Sequence, residues 1–254
     1  MGEIISDALM SFGAGFAGAA FSNAQGPGQA LDDIMTMVGF EKLHEVAERK
    51  RVKREYSVQK YKESLAQGII SIDEGNLQDP PLSIVGPALE ASKYYIEEQE
   101  LREMFSKLIA TSMDKSKSMT AHPSFVEIIK QLSPLDANIL KSFKNTMTHP
   151  VAKIISIRPN GYFDLNDYFI VDELFDNQSI IDITKSIANL NRLGLIKISE
   201  GKIENEEYFM EHPNVKTHFE MLKKDSPTLK VKRLDVTSYG VGFITSCVYK
   251  HNDL

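Results

Sequence analysis

The sequence predicts a mainly α-helical protein with a smaller α+β part: a helical N-terminal region followed by a mixed C-terminal domain. Three observations predict this. Apolar residues recur three to five positions apart through residues 30–66 and again from Ala88, the spacing that gives a helix one apolar face. Residues 151–158, VAKIISIR, are rich in β-branched side chains, which suits a strand. Between these two textures Ser133-Pro134 supplies a helix start at which a new unit begins. A chain of 254 residues exceeds a typical single domain. The expected division is an apolar arm at 1–29, a helical domain at 30–132 and the mixed domain at 133–254.

Composition narrows the function classes. Hydrophobic residues at 42% and charged ones at 25% are ordinary for a globular chain and exclude collagenous, disulfide-scaffold and wholly disordered classes. The net charge of −6 opposes a surface built throughout for phosphate backbones and leaves room for a local basic patch. Cys247 is the single cysteine, so neither an internal disulfide nor a thiolate zinc cluster forms, which fits a reducing cytoplasm.

The arm comes first. Residues 8–31 carry no charge, but Gly26-Pro27-Gly28 breaks the apolar stretch before it is long enough to cross a bilayer. Glu3 and Asp7 precede it without any basic residue, unlike a secretory signal. Gly13 to Gly18 spells G-x-G-x-x-G, yet no strand precedes it, and Asp32 and Asp33 follow too early to reach a ribose. Its small residues suit close helix packing, or peripheral contact of residues 8–24 with the inner membrane or a partner.

A long helix then carries Leu31, Ile34, Val38, Leu43, Val46, Tyr56, Tyr61 and Leu65 on one side, with Asp32 and Asp33 favourably placed in its first turn. Arg49, Lys50, Arg51, Lys53 and Arg54 form a basic run interleaved with Glu45, Glu48 and Glu55. It reads either as a solvated face or as a patch for anionic lipid or nucleic acid. Gly75-Asn76, Asp79-Pro80-Pro81 and Gly86-Pro87 mark an ordered connector. From Ala88 a second helix sets Leu89, Tyr94, Tyr95, Ile96, Leu101, Phe105, Leu108 and Ile109 against Glu90, Glu97, Glu98, Glu100 and Glu103. A third helix spans 124–132, with Ser124 as its cap and Glu127 three residues on.

Two segments of this half, PLSIVGPALEASKYYIEEQELREMFSKLIATSMD and HPSFVEIIKQLSPLDANIL, resemble the abortive-infection alpha (Abi-alpha) family of bacterial proteins, densely from about Pro81 to Leu140. The resemblance implies a role in bacterial phage defence. It brings no catalytic set, so Glu97, Leu101, Arg102, His122, Pro123 and Phe125 stand as motif positions without assigned chemistry. The expected mode of action is binding of a protein partner or phage-derived trigger, or self-association, and the composition of the arm makes it a candidate effector.

In the last half, Pro134 opens a helix carrying Leu135, Ile139, Leu140 and Phe143, and Pro150 prevents its continuation. The strand VAKIISIR meets the turn signal Asn160-Gly161, followed by YFDLNDYFIVDELF. Ser179 opens a helix with Ile180, Ile183, Ile187, Leu190 and Leu193 on one face, and Gly194 closes it. A strand follows directly, and LDVTSYGVGFITSCV reads as a strand, a T-x-x-G turn and a short helix. This order resembles a winged-helix domain. In a DNA-binding version the helix at 179–193 would enter the major groove with Lys185, Asn189 and Arg192, making a transcriptional regulator the alternative function. Against nucleic acid, residues 133–254 hold 15 basic and 16 acidic side chains, a net of −1, and Asp172, Glu173, Asp176 and Asp182 crowd the helix entrance. Lys230, Lys232 and Arg233 offset this in part.

Catalytic motifs are missing. The six histidines are scattered, and His212 and His218 are six apart, off the i, i+4 spacing of a helical metal pair. The chain lacks HExxH, a Walker loop and G-x-S-x-G, and Cys247 lies in an apolar stretch. The expectation is a binding protein, not an enzyme, with no catalytic, metal or cofactor site.

Overall fold

The computed structural model describes residues 48–143, 146–172, 175, 177–201 and 203–249, with side chains from Glu55 onward. The arm with its glycine motif, the first part of the long helix and the basic side chains at 49–54 lie outside the described residues, as do Glu173 and Asp176. The chain forms two compact units, one running to Pro134 and resuming at Gly242, the other spanning Leu135–Val241.

The first unit is helical. Helix α1 (Glu48–Ile70) buries Val58, Tyr61, Leu65 and Ile69 at helical spacing. Its predicted apolar position Tyr56 is instead 62% exposed. Helix α2 (Leu82–Ser92) starts six residues before the expected Ala88, so Gly86-Pro87 is no turn. Pro87 is the sixth residue of α2, past the first turn, so the helix forgoes the bond its N–H would make to the Ser83 carbonyl, on a side where Ser83 and Pro87 are both exposed. The single helix expected from Ala88 is divided: a turn at 93–98 separates α2 from α3 (Gln99–Ser112). Leu101, Phe105, Leu108 and Ile109 of α3 are fully buried, while Tyr94 in the turn is exposed. Ser64 of α1 and Ser106 of α3 meet hydroxyl to hydroxyl at 2.7 Å.

Helix α4 (Ser124–Ile129) follows, and the chain passes into the second unit through α5 (Pro134–Ser142), which begins at the predicted proline. Strands β1 (Thr148–Arg158) and β2 (Gly161–Phe169) form a hairpin in which Arg158 faces Gly161. Pro150 lies inside β1 rather than ending a helix. It is tolerated because β1 there has only β4 beside it, pairing with β2 beginning at Ala152, so that stretch is locally an edge.

Helix α6 (Ile180–Arg192) fits its sequence signals: the Ser179 hydroxyl accepts from the Asp182 N–H at 3.1 Å, and Gly194 closes the helix at φ +73°, where a side chain would be strained. Ile180, Ile183, Ile187 and Leu190 are its buried face. Strand β3 (Ile196–Ser199) comes next, then α7 (Glu206–Met210), α8 (Pro213–Met221) and β4 (Pro227–Val236). All pairings are antiparallel, in the order β2-β1-β4-β3. The fold class is therefore mainly helical α+β, with one four-stranded sheet among the described residues.

Helix α9 (Ser238–Cys247) follows the predicted T-x-x-G turn. Thr237 Oγ1 accepts from the Gly240 N–H at 2.9 Å and donates to the Gly194 carbonyl at 2.6 Å. The expected 133–254 domain thus yields its last helix, from Gly242, to the first unit. Phe243, Ile244 and Cys247 are buried there, and Lys107 of α3 donates to the Val248 carbonyl.

Candidate functional site

Of the motif positions, Leu101 is fully buried in α3 and Arg102 is only 8% exposed. The Arg102 guanidinium donates to the Ile96 carbonyl at 2.8 Å, closing the turn between α2 and α3. Burial pulls its pKa below the ordinary arginine value, while Glu103, Tyr56 and Glu100 act in the opposite sense. Glu97 sits exposed in that same turn. A further consequence is architectural: the motif ties a helix break that its own periodicity conceals.

His122, Pro123 and Phe125 form the entry to α4. The expected cap, Ser124, is already the first helical residue, and the imidazole of His122 takes over: its Nδ1 accepts the Ser124 N–H at 3.1 Å. Its ring also lies 2.6 Å from Ser124 Oγ. A histidine and a serine hydroxyl in contact are the elements of a base and nucleophile, and here the same Nδ1 also accepts the helix's own backbone N–H. Glu127 bonds Lys130 at 2.9 Å and does not return to the cap. Phe125 is buried with its ring edge-on to Phe243, centroids 5.2 Å apart.

Beside α4 an open depression of 250 Å³ is lined by Pro87, Glu90, Tyr94, Tyr95, Glu127 and Lys130. Its charges are matched in place, Glu90 with Lys93 and Glu127 with Lys130. The Tyr95 hydroxyl donates to the Lys130 carbonyl at 2.8 Å, fixing one wall.

On α6 the three sequence candidates lie on one helix but engage their own fold. Lys185 pairs with Asp182 at 2.9 Å. Asn189 donates to Asp136 Oδ2 at 3.0 Å, joining α6 to α5, and its carbonyl oxygen accepts from Arg192 Nη2 at 2.7 Å and Nε at 3.2 Å.

The sheet carries a cluster that sequence reasoning missed. Lys153 at the centre of β1 has a side chain only 8% exposed, bonded to Asp164 at 2.7 Å. Its ammonium lies 5.3 Å from the ring centroids of both Tyr162 and Tyr168. Lys230 sits 4.7 Å over the Tyr162 ring, Lys232 5.9 Å over that of Tyr168, and Lys232 pairs with Glu200. Burial works against the Lys153 charge, yet the bond to Asp164 and the two tyrosines hold its pKa above the ordinary lysine value. The hydrogen bond from Lys232 raises its own pKa and lowers that of Glu200. The signal lay in alternation: Tyr162 and Asp164 are two apart, as are Lys230 and Lys232. Only the register, with Lys153 facing Lys230, brings the two runs together.

Elsewhere, burial lowers the pKa of His149, whose ring stacks near Phe143 at 4.2 Å, and raises that of the Cys247 thiol, which the Lys107 charge opposes. Among the described residues no three His, Cys, Asp or Glu side chains converge as a metal-binding group, and no helix is long and apolar enough to cross a membrane.

Compared with known proteins, residues 53–247 match a family model described as abortive infection alpha. No curated protein matches the chain, and no solved structure does.

Proposed function

Because the chain belongs to the abortive infection alpha family, we propose that it is a bacterial phage-defence protein that acts by binding rather than catalysis. The family match over 53–247 carries this reading, extending well beyond the segment that first suggested it. The binding mode is supported by what the motif positions do: Leu101 and Phe125 pack, Arg102 ties a turn and His122 caps a helix. Such contacts support a scaffold that presents a surface to a partner.

In this reading the protein works in the cytoplasm, meets a protein partner or a phage-derived trigger, and responds by self-association or by presenting residues 8–24 to the inner membrane. The second unit is winged-helix-like, supported by the order α5, β1, α6, β3, β4 and the antiparallel neighbours β1-β4-β3. Its additions are the β2 strand and the two helices between β3 and β4, and it serves here as an interaction module.

The test is phage plaquing on cells expressing the intact gene, paired with survival of those cells at high multiplicity of infection. The expected result is reduced plaquing with loss of the infected cells before phage release. Unchanged plaquing across a broad phage panel contradicts it.

A further inference from the structure

We propose that the tyrosine-lysine face of the four-stranded sheet binds single-stranded nucleic acid, through Tyr162, Tyr168, Lys230 and Lys232. The proposal does not depend on the defence role.

The physical case begins with an expense to the fold. Lys153 and Lys230 face each other directly across β1 and β4, and Lys232 lies two residues along on the same face. Like charges opposite one another destabilise a sheet. The rings hold them apart in an alternating row: Lys232 against Tyr168, Tyr168 against Lys153, Lys153 against Tyr162, and Tyr162 against Lys230. Lys153 is the internal member, largely buried and neutralised by Asp164. Its role is to position the two rings.

What remains outward is suited to a ligand with both anions and flat faces. Tyr162 is 50% exposed. Lys230 is held by the hydroxyl and ring of Tyr162, and among the described residues no carboxylate lies within ion-pair distance of it. Lys232 has a side chain only 16% exposed and shares its charge with Glu200, whose side chain is 85% exposed. Aromatic rings on a sheet stack unpaired bases, and the flanking ammonium groups take the phosphates. A duplex hides its base faces, so the occupant is a single strand. Charge complementarity is local, which suits a chain of net charge −6 and makes the binding dependent on these few lysines.

The experiment is fluorescence anisotropy of the full chain with labelled oligo(dT) and oligo(U), and with a duplex of equal length, over a salt series. Single strands are expected to bind at low salt. With two lysine-phosphate contacts, affinity falls roughly 25-fold for each tenfold rise in salt. Tyr162→Leu is expected to weaken binding about tenfold through lost stacking. Lys230→Ala weakens it and flattens the salt dependence, whereas Glu200→Gln, which removes the exposed carboxylate, tightens it. Each variant is melted alongside the parent chain to show that its fold is retained. The proposal is overturned if single strands do not bind at low salt, if the duplex binds equally well, or if Tyr162→Leu and Lys230→Ala bind as the parent does. Plaquing is a separate readout, so failure here leaves the defence reading standing and failure there leaves this one.

Discussion

Phe125→Ala is expected to cost about 3–5 kcal/mol of stability, the range for truncating a buried phenylalanine. The ring is 2% exposed and meets Phe243 edge-on at 85°. Those two residues lie far apart in sequence yet belong to the same unit, so the contact fastens α4 to the last helix across the chain's excursion through the second unit. Truncation removes the packing of both rings and leaves a cavity beside Gly242, where an added Cβ would stand 3.7 Å from the Phe125 ring. A loss of that size lowers the melting temperature of the first unit by roughly 6–20 °C. Thermal unfolding followed by circular dichroism measures it, and a melting temperature within a degree of the parent's removes the idea that this motif position is a packing anchor.

Gly240→Ala is expected to destabilise the second unit by about 3 kcal/mol or more, the upper end for overpacking. A Cβ at Gly240 would lie 1.9 Å from the Leu195 carbonyl oxygen and 2.8 Å from its carbon. That neighbour is backbone and is itself committed: the Leu195 carbonyl accepts from the Thr237 N–H at 3.0 Å. To relieve the overlap, either the start of β3 or the T-x-x-G turn has to move, and Thr237 ties both by bonding the Gly194 carbonyl and the Gly240 N–H. Gly86→Ala is the matched control. It lies inside α2 with nothing within 4 Å of its Cβ position, and is expected to stabilise by up to about 1 kcal/mol. Denaturant titration of the two variants should therefore move the midpoint in opposite directions.

These two sites also show which parts of the fold the sequence made legible. Ser179, Gly194 and Thr237-x-x-Gly240 were readable because each signal is local chemistry: a hydroxyl accepting a nearby N–H, or a residue that tolerates positive φ. Pro134 likewise marked the start of α5. Proline misled where its tolerance depended on context, inside α2 at Pro87 and on a locally unpaired stretch of β1 at Pro150. The break between α2 and α3 was hidden because apolar spacing runs on through Tyr94 to Leu101, and only the Arg102 bond to Ile96 reveals the turn. The departure of α9 from the second unit rests on contacts such as Phe125 with Phe243, more than a hundred residues apart, which no window of sequence contains. The tyrosine-lysine face failed to emerge for the same reason. Its members come from three strands, and strand register is set by long-range pairing.

The candidate residues divide along the same line. Lys185, Asn189 and Arg192 were correctly placed on one helix, since helical spacing is local. Lys185 and Arg192 find their partners, Asp182 and Asn189, on the same helix, whereas Asp136, which receives Asn189, is on a different one and was not visible. The Asn189 bond joins α6 to α5.

In the proposed reading the family motif builds a binding scaffold and performs no bond-breaking chemistry. The most direct test is the double variant His122→Asn, Ser124→Ala, assayed for protection against phage beside the parent chain and melted in parallel. Asparagine retains an oxygen able to cap α4, while the imidazole and the hydroxyl it touches are removed. Protection indistinguishable from the parent is the predicted result. Loss of protection in a chain that melts unchanged would contradict the claim and assign chemistry to the His122-Ser124 pair.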